Sequence, residues 1–175
     1  KILGHNKPRY QFGIDLNADW KGFDFRAFFQ GVMKRDYWQG SAYFWGATSL
    51  WHSTGFVEHA DYFRAEPSND LPTNLDAYYP RPIFGSDKNK QTQSGYLQDA
   101  SYIRLKNLQF GYTLPVSLTK KFAVSKLRIF VSGENLWTGT SLTKIFDPET
   151  IGGGDEYNGN AYPLSRTFSV GLNVT

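Results

Sequence analysis

Cysteine is missing from all 175 residues, which excludes a disulfide framework, Cys-ligated zinc and thiol chemistry. Histidine is scarce: His5, His52 and His59 stand far apart, with no pair at metal-ligand spacing. No Ser/His/Asp order stands out, so the sequence carries no expectation of catalysis or of a cofactor. No apolar run approaches the roughly 18–20 residues that a transmembrane helix needs. A β-barrel escapes that test, because alternating strands keep average hydropathy low. No block of like charge occurs either. The nineteen Lys+Arg and sixteen Asp+Glu are scattered and leave a formal charge of +3, a poor footprint for nucleic acid. The chain opens at Lys1 without a charged-then-apolar leader, and it reads as a piece of something longer. It shows no internal repeat and no low-complexity tract.

What is abundant is aromatic. Eleven Tyr, fourteen Phe and five Trp, with seventeen Gly and one Met, suit β-structure far better than helix. The clearest pattern lies in residues 165–175, where Phe168, Val170, Leu172 and Val174 alternate with Thr167, Ser169, Gly171, Asn173 and Thr175. Such a period of two gives one apolar face and one small polar face. A soluble sandwich buries the apolar face in its core. A membrane barrel turns it to lipid and the polar face to a watery lumen. That choice decides the function.

The same period predicts four more strands. Residues 9–18 place Tyr10, Phe12, Ile14 and Leu16 opposite Arg9, Gln11, Gly13, Asp15 and Asn17, and a tight turn follows at residues 19–22. Residues 23–35 set Phe23, Phe25, Ala27, Phe29 and Met33 against Asp24, Arg26, Gln30 and Lys34, with Phe28 and Val32 interrupting the polar side. Residues 99–113 alternate only if a β-bulge near Lys106 and Asn107 brings Ile103 and Leu105 into phase with Leu108, Phe110 and Tyr112. Residues 127–135 complete the set. Periodicity vanishes over 36–98 and 136–164, so these read as long loops, whereas the other connections are short. Strands of this length match a tilted bilayer span of about 9–11 residues. Five strands cannot close a barrel, for which about eight is the minimum. In the membrane reading the chain is therefore a fragment.

Several motifs now carry a resemblance. They are Ser-Tyr-Ile-Arg-Leu-Lys-Asn-Leu-Gln-Phe-Gly-Tyr-Thr-Leu-Pro at 101–115, Leu-Arg-Ile-Phe-Val-Ser-Gly-Glu-Asn-Leu at 127–136, and Asp-Pro-Glu at 147–149. Tyr-Pro-Leu-Ser-Arg-Thr-Phe at 162–168 and the Trp-Lys-Gly-Phe and Phe-Phe-Gln-Gly stretches within 17–31 belong with them. In this order they resemble the C-terminal end of the SusC/RagA family of TonB-dependent outer-membrane transporters of Bacteroidota. The resemblance implies an all-β chain, the last antiparallel strands of a large transmembrane β-barrel of about twenty-two strands, open on its own. It also implies an outer-membrane location in a Gram-negative bacterium, a SusD-like surface lipoprotein as partner and TonB engaged through upstream residues. Import of oligosaccharides or peptides follows from the same resemblance. The family ends on an aromatic two positions beyond the place of Val174, which implies one further residue, Phe, after Thr175. From other classes, the alternatives are a secreted β-sandwich module binding glycans and a diffusive porin-type barrel.

The first long loop interleaves Trp38, Tyr43, Phe44, Trp45 and Trp51 with further aromatics. Aromatic faces stack on sugars or peptide side chains, and they equally fold a loop on itself or pack on a protein partner. Trp45 and Trp51 are the preferred ligand contacts. In the strands, Arg26, Arg104, Arg128 and Glu134 fall on the polar side, where they face a lumen as a bracing lattice or as transport groups. Asp147, Glu149, Asp155 and Glu156 surround a Gly-rich run, but their spacing does not fit an EF-hand loop, and solvated acids are the simpler reading. The triple glycine at 152–154 lacks the Lys-Ser/Thr of a phosphate loop, so nucleotide binding is not expected.

Overall fold

A computed structural model describes residues 2–46, 55–151 and 161–175, without the side chains of Ala42 and Tyr43. The strands are β1 (Tyr10–Trp20), β2 (Phe23–Met33), β3 (Asp36–Trp38), β4 (Leu97–Asp99), β5 (Tyr102–Thr113), β6 (Leu127–Thr140) and β7 (Thr167–Val174). An antiparallel sheet runs in the order β1-β2-β5-β6-β7, and β3 pairs with β4 in a two-stranded sheet. The chain divides into two compact units. The five-stranded sheet belongs to the unit of His5–Asp36, Asp99–Leu142 and Leu164–Thr175. The other unit comprises Lys1–Gly4, Tyr37–Gln98 and Thr143–Pro163.

The first hairpin closes more tightly than the alternation suggests. Trp20 pairs with Phe23, and only Lys21 (φ 48°) and Gly22 (φ 89°) make the turn. Positive φ at both central residues is the primed turn whose twist matches that of the flanking strands, and Gly22 takes it without a Cβ penalty. The expected break at residue 18 is thus absent, and β1 continues to Trp20.

The bulge demanded by the sequence lies at Lys106. Phe28 pairs with Asn107 but Phe29 with Leu105, so Lys106 is the extra residue. This shift puts Ile103, Leu105, Leu108, Phe110 and Tyr112 on one face. A second irregularity follows in β6, where Asn107 faces Glu134 but Leu105 faces Trp137. Asn135 sits there at φ 53°, in a region that Asn tolerates better than most residues. The β6 strand therefore runs to Thr140, not to residue 135, because the bulge restores pairing after the apolar pattern slips.

Register then fixes what each face carries. One face shows Tyr10, Ile14, Leu16, Trp20, Phe23, Phe25, Phe110, Ile129, Val131, Trp137, Phe168, Val170, Leu172 and Val174, and every one of them is exposed. Phe168, Val170 and Leu172 are 76%, 79% and 64% accessible, so no second sheet covers them. Among the described residues no second sheet packs on this face, which argues against a sandwich core formed within the chain. Aromatics mark its two ends. Trp20, Phe23 and Tyr112 gather at the hairpin end, with Phe23 and Tyr112 rings 4.5 Å apart, while Tyr10 and Trp137 lie toward the other. Lys21 lies 5.0 Å from the Trp20 ring and Lys34 5.8 Å from that of Tyr10.

The opposite face is polar and internally braced. The Arg128 guanidinium reaches from β6 across β5 to the Asp24 carboxylate on β2, with Nε donating to Oδ2 at 2.8 Å and Nη2 to Oδ1. The bridge passes over Gly111, which stands opposite both Asp24 and Phe130 in the register. Glycine leaves the necessary slot: a Cβ there would stand 2.5 Å from Arg128 Nη2 and 2.7 Å from Asp24 Oδ1. Nearer β1, Arg26 grips Asp15 through both carboxylate oxygens, at 3.1 Å and 2.6 Å. Phe130 lies over Gly171 in the same way, and the Arg128 guanidinium stands 4.8 Å from the Phe130 ring centre.

Two outcomes are expected of the full-length barrel refolded into lipid. Val131→Arg costs about 2–4 kcal/mol in denaturant titration, whereas Ser132→Arg on the other face costs far less. Gly111→Ala destabilises by about 1–3 kcal/mol through the bridge that it displaces, and Asp24→Asn removes most of that extra sensitivity in the double variant.

Candidate functional site

Two regions hold the residues that the sequence singles out. On the polar face of the sheet, Arg26, Arg104, Arg128 and Glu134 share one side, as register requires. They do not form one cluster. Arg26 pairs with Asp15 on the neighbouring strand, and Arg128 with Asp24 two strands away. Arg104 is almost fully buried and donates from Nε to Thr138 Oγ1 at 2.8 Å. Glu134 is exposed between Asn107 and Thr167. The partner acids Asp15 and Asp24 were not singled out from sequence. Their role depends on register, since Asp24 and Arg128 are 104 positions apart. Phe28, a break in the polar pattern, lies over Gly13, where a Cβ would stand 3.2 Å from its ring.

The second region is the unit holding Tyr37–Gln98, expected as a long loop without periodicity whose aromatics fold it on itself, pack on a partner or meet a ligand, and it is built around an aromatic core. Phe44 is wholly enclosed, with Trp45 at 5.0 Å, Tyr79 at 5.4 Å, Tyr78 at 6.4 Å and Tyr96 at 6.5 Å between ring centres. Several of these pairs are edge-to-face, the arrangement that ring quadrupoles favour. Trp38 is half-buried, 5.9 Å from Trp45. Trp45 is mostly buried, and its indole Nε1–H donates to the Gln39 carbonyl at 2.9 Å. So Phe44 packs and offers no surface, while Trp45 shows a ligand little. The Tyr43 side chain and Trp51 lie outside the described residues.

His59 ties this core to the backbone. Its Nδ1 accepts from the Phe56 N–H at 2.9 Å, and its Nε2 lies 2.8 Å from the Phe44 carbonyl oxygen. A carbonyl only accepts, so these bonds fix the neutral Nε2–H tautomer. Around the core, burial pushes the Tyr79 phenol up to about 12, against a hydrogen bond with Thr143 that pulls the other way. Burial also raises Tyr96, helped by the nearby Tyr78. Both phenols are therefore neutral donors across the physiological range. Against the core lies a small cavity of about 160 Å³ walled by Trp45, His59, Tyr62, Tyr79, Pro80 and Ile83.

Among the described residues no group of His, Asp and Glu is arranged to hold a metal ion. Asp155 and Glu156 lie outside them. Asp147 instead organises its own turn, with Oδ1 accepting from the Glu149 N–H at 2.9 Å and its carbonyl from the Ile151 N–H at 3.2 Å. No helix of the described residues is long and apolar enough to cross a membrane.

No protein-family model matches the chain. Over 99% of its length it is 34% identical to TonB-dependent receptor P3 and 29% identical to TonB-dependent receptor P26, both of Formosa agariphila. It covers 17% and 18% of those proteins, so the chain spans less than a fifth of the relatives that it matches. Among solved structures, it resembles the RagAB peptide importer in its open-open state with a TM-score of 0.69 and 25% identity, over 99% of this chain and 18% of that one. A second RagAB peptide transporter structure gives 0.62 and 26%, over 93% of this chain and 17% of that one. These relatives are receptors and transporters, not enzymes. Its open antiparallel sheet, apolar on one side and polar on the other, fits a C-terminal fragment of a barrel like those of these TonB-dependent receptors and of the RagAB transporter.

Proposed function

We propose that this chain is the C-terminal wall, with two of the surface loops, of an outer-membrane importer that draws its energy through TonB. Its barrel partners a SusD-like lipoprotein and passes oligosaccharides or peptides too large for porins. The observation that carries the reading is the exposed apolar face ending in Phe168, Val170 and Leu172, backed by a polar face of paired charges. An open sheet with bare edges is not viable in lipid, so neighbouring strands from the rest of the protein complete the wall. The likeness to RagAB, a peptide importer, supports the partnership and the transport direction. A Gram-negative outer membrane is the matching location.

In this reading Arg26, Arg104, Arg128 and Glu134 border the lumen, mainly as braces held by the opposing residues of their own sheet. The connections from β2 to β5 and from β6 to β7 leave the same end of the sheet and form the extracellular side. Trp38 and Trp45, with Phe44 as internal support, belong to the surface that meets ligand or lipoprotein, and the same role is proposed for Tyr43 and Trp51, whose side chains lie outside the described residues.

Uptake of an oligomer by cells carrying the full-length protein is expected to disappear when TonB is deleted. Persistent uptake would support the porin-type alternative instead. Phe44→Ala, which empties the centre of the loop core, is expected to cost that unit about 3–5 kcal/mol. Limited proteolysis should then cut within 36–98, while the barrel keeps its resistance to cold SDS.

A further inference from the structure

A larger cleft of about 660 Å³ opens elsewhere in the loop unit, and three of the residues lining it are charged: Arg64, Arg81 and Glu66. Arg64 is only 8% exposed. Its Nε donates to the Pro72 carbonyl at 2.8 Å, and its Nη1 to the Ala60 carbonyl at 2.7 Å. Its guanidinium lies 4.4 Å from the Tyr62 ring centre, which adds a cation–π contact. Those neighbours hold the group rigidly but carry no negative charge. Among the described residues no carboxylate forms an ion pair with Arg64. A buried cation without a counter-charge is costly, and a guanidinium has five N–H donors, of which two are committed to these carbonyls. Arg64 itself lines a cleft wide enough for a ligand group.

Arg81 adds a second cation to the same wall. Its side chain is exposed, while its carbonyl accepts from Asn89 Nδ2 at 2.7 Å, which anchors the backbone at that point. Glu66 is exposed and offsets one of the two charges, so the cleft stays net positive. Arg64 is also tied into its loop by reciprocal backbone bonds with Asn74, each 2.9 Å. The donor geometry is thus set before any ligand arrives, the condition under which a planar guanidinium selects a planar oxyanion.

We propose that the Arg64–Arg81 cleft is a binding site for a carboxylate of the transported molecule, with Arg64 as the fixed fork and Arg81 as the mobile second contact. The carboxylate belongs either to a peptide, at its C-terminus or an acidic side chain, or to a uronic acid in an oligosaccharide. The proposal rests on the import reading for the source of the ligand, not for the binding itself.

The test is calorimetric titration of the detergent-purified full-length protein with two matched pairs. One is a Glu-containing tetrapeptide and its Gln-containing, C-terminally amidated counterpart. The other is an oligogalacturonate and its methyl ester. The acidic member of one pair is expected to bind about tenfold or more tightly than its neutral counterpart, and which pair responds identifies the source. Arg81→Gln, a change at an exposed residue, should reduce that preference severalfold, and high salt should weaken it. Equal binding of acidic and neutral members in both pairs overturns the proposal, as does a preference that Arg81→Gln leaves unchanged. TonB dependence of uptake, measured separately with a neutral substrate, reports on the import reading alone.

Discussion

The structure depends on one constraint: each strand must satisfy its backbone in the ladder while sending successive side chains into two different solvents. In lipid an unpaired N–H or C=O costs several kcal/mol, so only a closed set of hydrogen-bonded strands crosses a bilayer. Everything else in the sheet serves this division. Lys106 and Asn135 are irregularities whose effect is to return apolar residues to the lipid side after the pattern slips. Gly111 and Gly171 lack side chains because an ion pair and an aromatic ring lie across them on the polar side.

That polar side differs from a soluble protein's surface in what it must do. Its charges are held in defined pairs, Arg26 with Asp15 and Arg128 with Asp24, which span one and two strand spacings. Isolated exposed pairs contribute little to stability. The Asp24–Arg128 bridge is different, because both side chains are mostly shielded and it clamps three strands together. A wall braced in this manner keeps its shape without relying on packing from within.

Much of the sheet was legible in the sequence, and the reason is physical. A face that meets hydrocarbon cannot tolerate polar residues, so the alternation in 167–174 is unambiguous, and even the Lys106 bulge is forced by the phase change between Leu105 and Leu108. The extent of β6 was not legible, since the slip at Asn135 looks like a strand end until the partner Leu105 is known. The ion pairs were half visible: the arginines stood out, but their acids depended on register. Least legible was the loop unit. Its core joins Phe44, Tyr79 and Tyr96 across some fifty positions with no period, and only the three-dimensional contact shows that Phe44 supports the fold instead of meeting a ligand. The buried Arg64 gave no signal at all, because a lone arginine among prolines reads as a solvated loop residue.

The central claim, that one side of this ribbon touches lipid and the other water, can be read directly on β7. The chain has no cysteine, so single nitroxide labels can be placed one by one from Thr167 to Val174 in the full-length protein, cysteine-free and reconstituted in bilayers. The account predicts that positions 168, 170, 172 and 174 collide with dissolved oxygen and are shielded from a water-soluble nickel chelate, with the reverse at 167, 169, 171 and 173. A flat profile, or one with the two reagents exchanged, would contradict it.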